Sequence, residues 1–297
     1  MDKVKVAIVG YGNIESLPTI DNINKESVNR VIFVGYSHKD VTSDGYWNDY
    51  TSLNNNIHFC GTVTLGENEA NYDYSIDDNS LTISKRSGST EIPAYDVDPS
   101  PFNSLFFVND VLAIYLNDYT SGGSGLFSGY VNVTTFHAYA YNTINSGLLA
   151  GMPIRYLTFD VLNPLGGITA DLATSVSTTL SSLNLPVASS IAANAFKVNA
   201  ETGAYVNLKT LNLPAITSIG EGAFYGLTMN SPWIFPQSLT NIGTSAFEKS
   251  SLTSIKFLAD SVVLGSSAFK SCIALTSVDL SSTSLSAISE SCFQDCD

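Results

Sequence analysis

Residues Ile216–Leu227 read "ITSIGEGAFYGL". Ile219 stands five positions ahead of Phe224, and the residue just before the Phe, Ala223, is small. The same arrangement returns on both sides of this stretch. Downstream are "LTNIGTSAFEKS" (Leu239–Ser250), "SVVLGSSAFKSC" (Ser261–Cys272) and "LSAISESCFQDC" (Leu285–Cys296); upstream is "SSIAANAFKVN" (Ser189–Asn199). The aliphatic–aromatic pairs are Ile191/Phe196, Ile219/Phe224, Ile242/Phe247, Leu264/Phe269 and Ile288/Phe293. Recurrence at one fixed offset marks a repeat whose like residues share a structural place, so these ten side chains are read as the structural core.

The aliphatic column extends backwards in degenerate form to Ile168 and Ile144, with steps of 22 to 28 residues, a leucine-rich-repeat period. Between the Phe turns lies a second element, L-x-x-L-x-L. It appears as "IRYLTF" (Ile154–Phe159), "LSSLNL" (Leu180–Leu185), "LKTLNL" (Leu208–Leu213), "LTSIKF" (Leu252–Phe257) and "LTSVDL" (Leu275–Leu280). "VTTFHA" (Val133–Ala138) and "NSPWIF" (Asn230–Phe235) are weaker copies. Alternation at its end predicts a short strand, and Pro186, Pro214 and Pro236 each stop one, because proline has no N–H for a ladder. One coil of this length cannot bury its own Leu, Ile and Phe. Stacked coils bury each other's, and their strands form a parallel sheet.

The pattern resembles the BspA-like (Treponema pallidum type) leucine-rich repeats, whose hallmark is L-x-x-I-x-I-P followed by I-G-x-x-A-F-x-x-C. "SIGEGAFYGL", "NIGTSAFEKS" and "VLGSSAFKSC" carry the likeness, which covers about residues 130–297. It implies a solenoid that recognises protein, matrix or host-cell ligands rather than a catalyst. Cysteine follows the Phe by three only at Cys272 and Cys296. They are read as buried thiols packing like small hydrophobes, with a disulfide as the open alternative. The chain stops right after a Phe turn, so the last coil is expected to be exposed, or covered by a partner, a larger assembly or another copy of the chain.

Residues 1–125 lack the repeat and read as a β-rich N-terminal domain with an anchoring or assembly role. Residues 126–297 form the solenoid, and "TSGGSG" (Thr120–Gly125) is the expected junction. The fold class is therefore mainly β. Only 13% of the 297 residues are charged, against roughly a quarter in an average domain. The net charge of −14 opposes nucleic-acid binding. No 18-residue apolar run predicts a membrane span, and no signal peptide is visible. The expected setting is extracellular, a microbial cell surface or the surface of a virion.

Chemistry-bearing motifs are sparse. "KVKVAIVGYGNIES" (Lys3–Ser16) opens like a dinucleotide-binding strand, the alternative being a nucleotide-binding enzyme built on Gly10-Tyr11-Gly12. Glu15 stands where the third glycine belongs and Pro18 where the helix should run, so it reads as a strand and its turn. His38, His58 and His137 show no metal-ligand spacing. Asp73, Asp77 and Asp78 read as a hairpin turn, and Asn132-Val-Thr134 is a sequon. No catalytic residue, cofactor or metal is expected. In each L-x-L the middle residue points away from the core. That column is His137, Thr158, Asn184, Asn212, Ile234, Lys256 and Asp279, with Tyr156 beside it; Trp233 occupies a Leu position and is expected inside. This face is the expected site for a protein or glycan ligand.

Overall fold

The computed structural model describes residues 4–9, 28–36, 39, 57–65, 68–75, 79–85, 101–117, 125–139, 146–160, 179–197, 207–229, 231–285 and 287–296. Outside them lie the Gly10-Tyr11-Gly12 turn with Glu15 and Pro18, His38, Asp77, Asp78, Ile144 and Ile168. So do Asn230 and most of the Thr120–Gly125 junction.

The chain is nearly all β. Ten strands form one sheet: β1 (Val4–Val9), β2 (Val28–Val34), β3 (Ile57–Leu65), β4 (Asn68–Ser75), β5 (Ser80–Lys85), β6 (Ala113–Asn117), β7 (Thr135–Ala138), β8 (Tyr156–Phe159), β9 (Ser182–Asn184) and β11 (Thr210–Asn212). Only β3–β4 and β4–β5 pair antiparallel; every other neighbour is parallel. A short helix, α1 (Pro101–Leu105), buries Phe102. The parallel run continues through residue 125, since β6 pairs with β7. A three-stranded sheet follows, β13 (Trp233–Phe235), β15 (Ser254–Phe257) and β17 (Ser277–Asp279). On another side of the coils, two-residue strands β10 (Ser190–Ile191), β12 (Ser218–Ile219), β14 (Asn241–Ile242) and β16 (Val263–Leu264) form a third sheet.

The L-x-x-L-x-L element places its apolar positions in inward columns. Leu180, Leu183 and Leu185 are fully buried, as are Ile154, Leu157 and Phe159 one coil earlier. Val133, Phe136 and Ala138 continue the columns, and so do Val111, Ile114 and Leu116, a coil in which Val and Ile stand for Leu. Trp233 is buried against Phe235, Phe247 and Phe224, with centroids 4.4, 5.2 and 6.1 Å away.

The Phe turns stack most regularly. Phe196, Phe224, Phe247, Phe269 and Phe293 form one pile with successive centroids 5.3, 5.3, 5.3 and 5.4 Å apart and planes within 11°. Offset stacking at such spacing adds to the area each ring buries. Left-handed backbone precedes all five Phe by two residues, at Asn194, Gly222, Ser245, Ser267 and Ser291, and follows the last four by two, at Gly226, Lys249, Ser271 and Asp295. Serine or lysine there costs roughly 1–2 kcal/mol. The reversals aim N–H groups at the next coil: Phe224 N–H donates to Ala246 O, Phe247 to Ala268 O and Phe269 to Cys292 O. Those bonds offset the strain.

The glycine of the repeat has a steric reason. A Cβ on Gly243 would lie 2.6 Å from the backbone N of Glu221 in the preceding coil; on Gly220 and Gly265 the gaps to Ala193 N and Thr244 N are 2.5 Å. Ser289 stands at this place in the last coil. No strand forms there beside β16. Ile288 corrects the repeat reading: assigned to the core, it is 56% exposed, because Ser289 meets Leu264 O through its hydroxyl instead of pairing as a strand, while the turn after it still bonds to the preceding coil. Phe293 still packs on Phe269 but is only half-buried. Ile191, Phe196, Ile219, Phe224, Ile242, Phe247, Leu264 and Phe269 are all buried.

Candidate recognition face

Parallel register carries residues of like position into lateral rows. One row crosses the last five strands of the long sheet: Tyr115 pairs with His137, His137 with Thr158, Thr158 with Asn184 and Asn184 with Asn212. A second row lies on the three-stranded sheet, where Ile234 pairs with Lys256 and Lys256 with Asp279. The predicted column is thus divided between two sheets. Tyr156 belongs to the row beside it, with Thr135, Ser182 and Thr210.

Short polar ladders hold these side chains. Asn212 Nδ2 donates to Asn184 Oδ1 at 2.7 Å, and Thr210 Oγ1 donates to Ser182 Oγ at 2.6 Å. Lys256 Nζ meets Asp279 Oδ2 at 2.9 Å in an exposed pair. Hydrogen bonds from Ser281, then the one from Lys256, pull the Asp279 carboxyl below the ordinary carboxylate range. Ile234 is 56% exposed at the head of this row.

The long sheet carries a denser group. His137 Nε2 lies 2.7 Å from Asp160 Oδ2. An ionised carboxylate only accepts hydrogen bonds, so Nε2 carries the proton. The imidazole stacks on Tyr139 at 4.1 Å and 23°, and leans on Tyr115 at 5.9 Å and 49°. Tyr139 follows His137 by two residues and so shares its face. Tyr139 and Tyr156 leave large parts of their rings to solvent.

Tyr115, Tyr139 and Asp160 escape a reading of the L-x-L column. Tyr115 had a signal: Val111-x-x-Ile114-x-Leu116 fits the repeat once Val and Ile are allowed for Leu. Tyr139 and Asp160 fall just past their L-x-L, where β7 and β8 pairing continues through Tyr139 N–H to Leu116 O and Asp160 N–H to Ala138 O.

The other chemistry-bearing residues lie apart from this face or form no site. Cys60, Cys272 and Cys292 are free thiols. Cys272 Sγ donates to Phe247 O at 3.1 Å and lies 3.2 Å from Ser250 Oγ. Burial raises the Cys272 and Cys292 thiols to about 11. Cys60 pairs across β3–β4 with Asp73, and burial, then the Asp73 charge, raise its thiol as well. Asn132 donates to Asn109 O from an exposed turn. Among the described residues, no three His, Cys, Asp or Glu are placed to hold a metal ion, and no helix is long and apolar enough to cross a membrane. The Phe turns present one aromatic outward: Lys197 Nζ and Lys249 Nζ lie 5.6 and 5.4 Å from the Tyr225 ring centre.

Comparison with known proteins adds the repeat family. The family model of the BspA type leucine-rich repeat region matches six copies over residues 189–297. No curated protein matches the chain. Two solved structures align with it. A leucine-rich repeat protein from Eubacterium ventriosum ATCC 27560 is 15% identical with a TM-score of 0.32, over 79% of this chain and 94% of that one. A leucine-rich cell surface protein from Faecalibacterium prausnitzii A2-165 is 16% identical with a TM-score of 0.34, over 79% of this chain and 80% of that one.

Proposed function

From a chain whose residues 189–297 are a BspA type leucine-rich-repeat region, we infer a non-enzymatic recognition and adhesion protein. It binds protein or glycan through the outward rows of its parallel sheets. The observation that carries this reading is the row from Tyr115 to Asn212: five strands in register present an open, mostly uncharged set of aromatic, amide and hydroxyl groups. Repeat proteins vary such exposed positions while keeping the buried columns, because each coil contacts only its neighbours.

The division at residue 125 is proposed as one of role. Residues 1–125 anchor or assemble, strand β6 lending Tyr115 to the face, and residues 126–297 recognise. The proposed setting is a microbial cell surface, the usual place of this repeat family, or a virion surface, for which the charge-poor composition speaks.

The test uses the full chain on arrays of matrix proteins and glycans, beside a Thr158→Arg, Asn184→Arg variant that blocks the row. Ligand retention is expected to vanish in the blocked chain while its unfolding midpoint stays put. Retention equal to that of the parent would remove this face from the account.

A further inference from the structure

We propose that Tyr115, His137, Tyr139, Tyr156 and Asp160 form a stacking platform for a neutral oligosaccharide laid across strands β6, β7 and β8. The proposal rests on the recognition reading above and narrows it to one ligand class and one place on the face.

The rings come first. Tyr156 is 53% and Tyr139 37% exposed, although tyrosine rings bring large apolar area that folding ordinarily covers. Tyr139 stacks on His137, which leans on Tyr115, and Tyr156 stands in the neighbouring row on β8, on an open sheet rather than in a cage. An open set of ring faces suits a flat ligand whose own apolar face is a ring of C–H groups, which is the surface a pyranose offers.

The polar groups match the same ligand. Asp160 keeps a third of its side chain open while accepting from His137. A carboxylate has about four lone-pair sites, so it still takes hydroxyl donors. Asn184 and Asn212 continue the row with groups that both donate and accept. Sugar hydroxyls need that mixture.

Charge narrows the choice further. Among the residues of the two rows, Asp279 is matched by Lys256, and Asp160, hydrogen-bonded to His137, is the single acid left over. The face therefore has little net charge to attract a basic protein, and the chain's −14 repels acidic polymers. Spacing agrees as well. Neighbouring strands lie about 4.8 Å apart, close to the advance per sugar of an extended β-linked glycan, so successive sugars meet successive strands.

The experiment is affinity electrophoresis of the full chain in gels containing hydroxyethyl cellulose, mixed-linkage β-glucan, xylan or galactomannan, with alginate as the acidic control. Retardation by at least one neutral polymer and none by alginate is expected. Tyr156→Ala and Tyr139→Ala should each weaken the apparent affinity at least tenfold, whereas Tyr225→Ala, on the turn side, should leave it unchanged. Tyr156 is exposed enough that its loss spares the fold, and the unfolding midpoint verifies this. No retardation by any neutral polymer, or retardation indifferent to both substitutions, overturns the platform. A chain that ignores every polysaccharide yet loses a protein ligand when the row is blocked refutes the platform and leaves the recognition reading standing. A ligand of either kind that stays on the row-blocked chain refutes both.

Discussion

The coils from Ser189 onward and the strands before Phe159 arrange their buried rings with different regularity. In the later coils the Phe of each turn stacks on its own kind: five Phe rings lie in one pile with planes within 11°. In the earlier region Phe33 stacks on Phe59 at 13°, but no such pile continues and other rings meet at steep angles. Phe127 stands at 83° to Tyr130 and 73° to Phe136, and Phe106 at 80° to Tyr72. Self-stacking demands the same residue at the same place in each coil and allows little drift. Mixed packing needs only total volume and apolarity, so sequence there is free to vary. The densest aromatic group on the outer face, around His137, belongs to the less regular region.

The largest way to break this contrast is Phe247→Ala. Phe247 touches Phe224 and Phe269 in the neighbouring coils and Trp233 and Phe235 across the core. The loss should be about 3–5 kcal/mol, read from denaturant unfolding. A change below about 1 kcal/mol would mean the pile does not hold the coils together.

Next comes the glycine column. Gly243→Ala sets a methyl against the backbone of Glu221 and should cost about 1–3 kcal/mol. Gly151, in the earlier region, has nothing within 4 Å of its Cβ position, and alanine there meets only its positive φ of 80°. Its cost should be smaller, about 1 kcal/mol. Equal costs at both sites would remove the close approach as the reason for glycine in the stack.

A third difference appears with pH. The Cys272 and Cys292 thiols titrate near 11 when folded, raised from an ordinary 9.0. Between those values the unfolded chain has already lost protons that the folded chain keeps. Their contribution is therefore whole below about pH 9 and fades as pH rises toward 11. Urea midpoints at intervals across that range should fall, and the fall should be shallower in Cys272→Ala. Identical slopes in parent and variant would mean that Cys272 is not buried as a neutral thiol.

The smallest effect is expected at Lys256. Its pair with Asp279 is open to solvent, where such pairs count for little. Lys256→Ala should leave the unfolding midpoint in place; a clear drop would make this row part of the fold's support.

The same contrast explains what could be read from sequence. From Leu180 on, I-G-x-x-A-F announces itself because every coil meets an identical neighbour. The Val111–Leu116 coil hid, since Val and Ile replace Leu and the described residues around it hold no A-F turn. Ser289 was harder to weigh. By residue type it is a mild change from glycine, yet it occupies the place where a Cβ meets backbone in the earlier coils; no strand forms there, and Ile288 is exposed. The aromatic group around His137 depends on register between strands separated by steps of different length, which spacing along the chain does not reveal. His137, Thr158, Asn184 and Asn212 were legible as a row because each is the middle residue of an L-x-L. Tyr139 and Asp160 lie beyond that motif.

The most direct measurement is hydroxyl-radical footprinting of the full chain, with and without a ligand it retains, read at individual tyrosines by mass spectrometry. Protection of Tyr139 and Tyr156 with Tyr225 unchanged is the predicted result. Protection of Tyr225 with Tyr156 unchanged would move recognition to the Phe turns and contradict the sheet face as the binding surface.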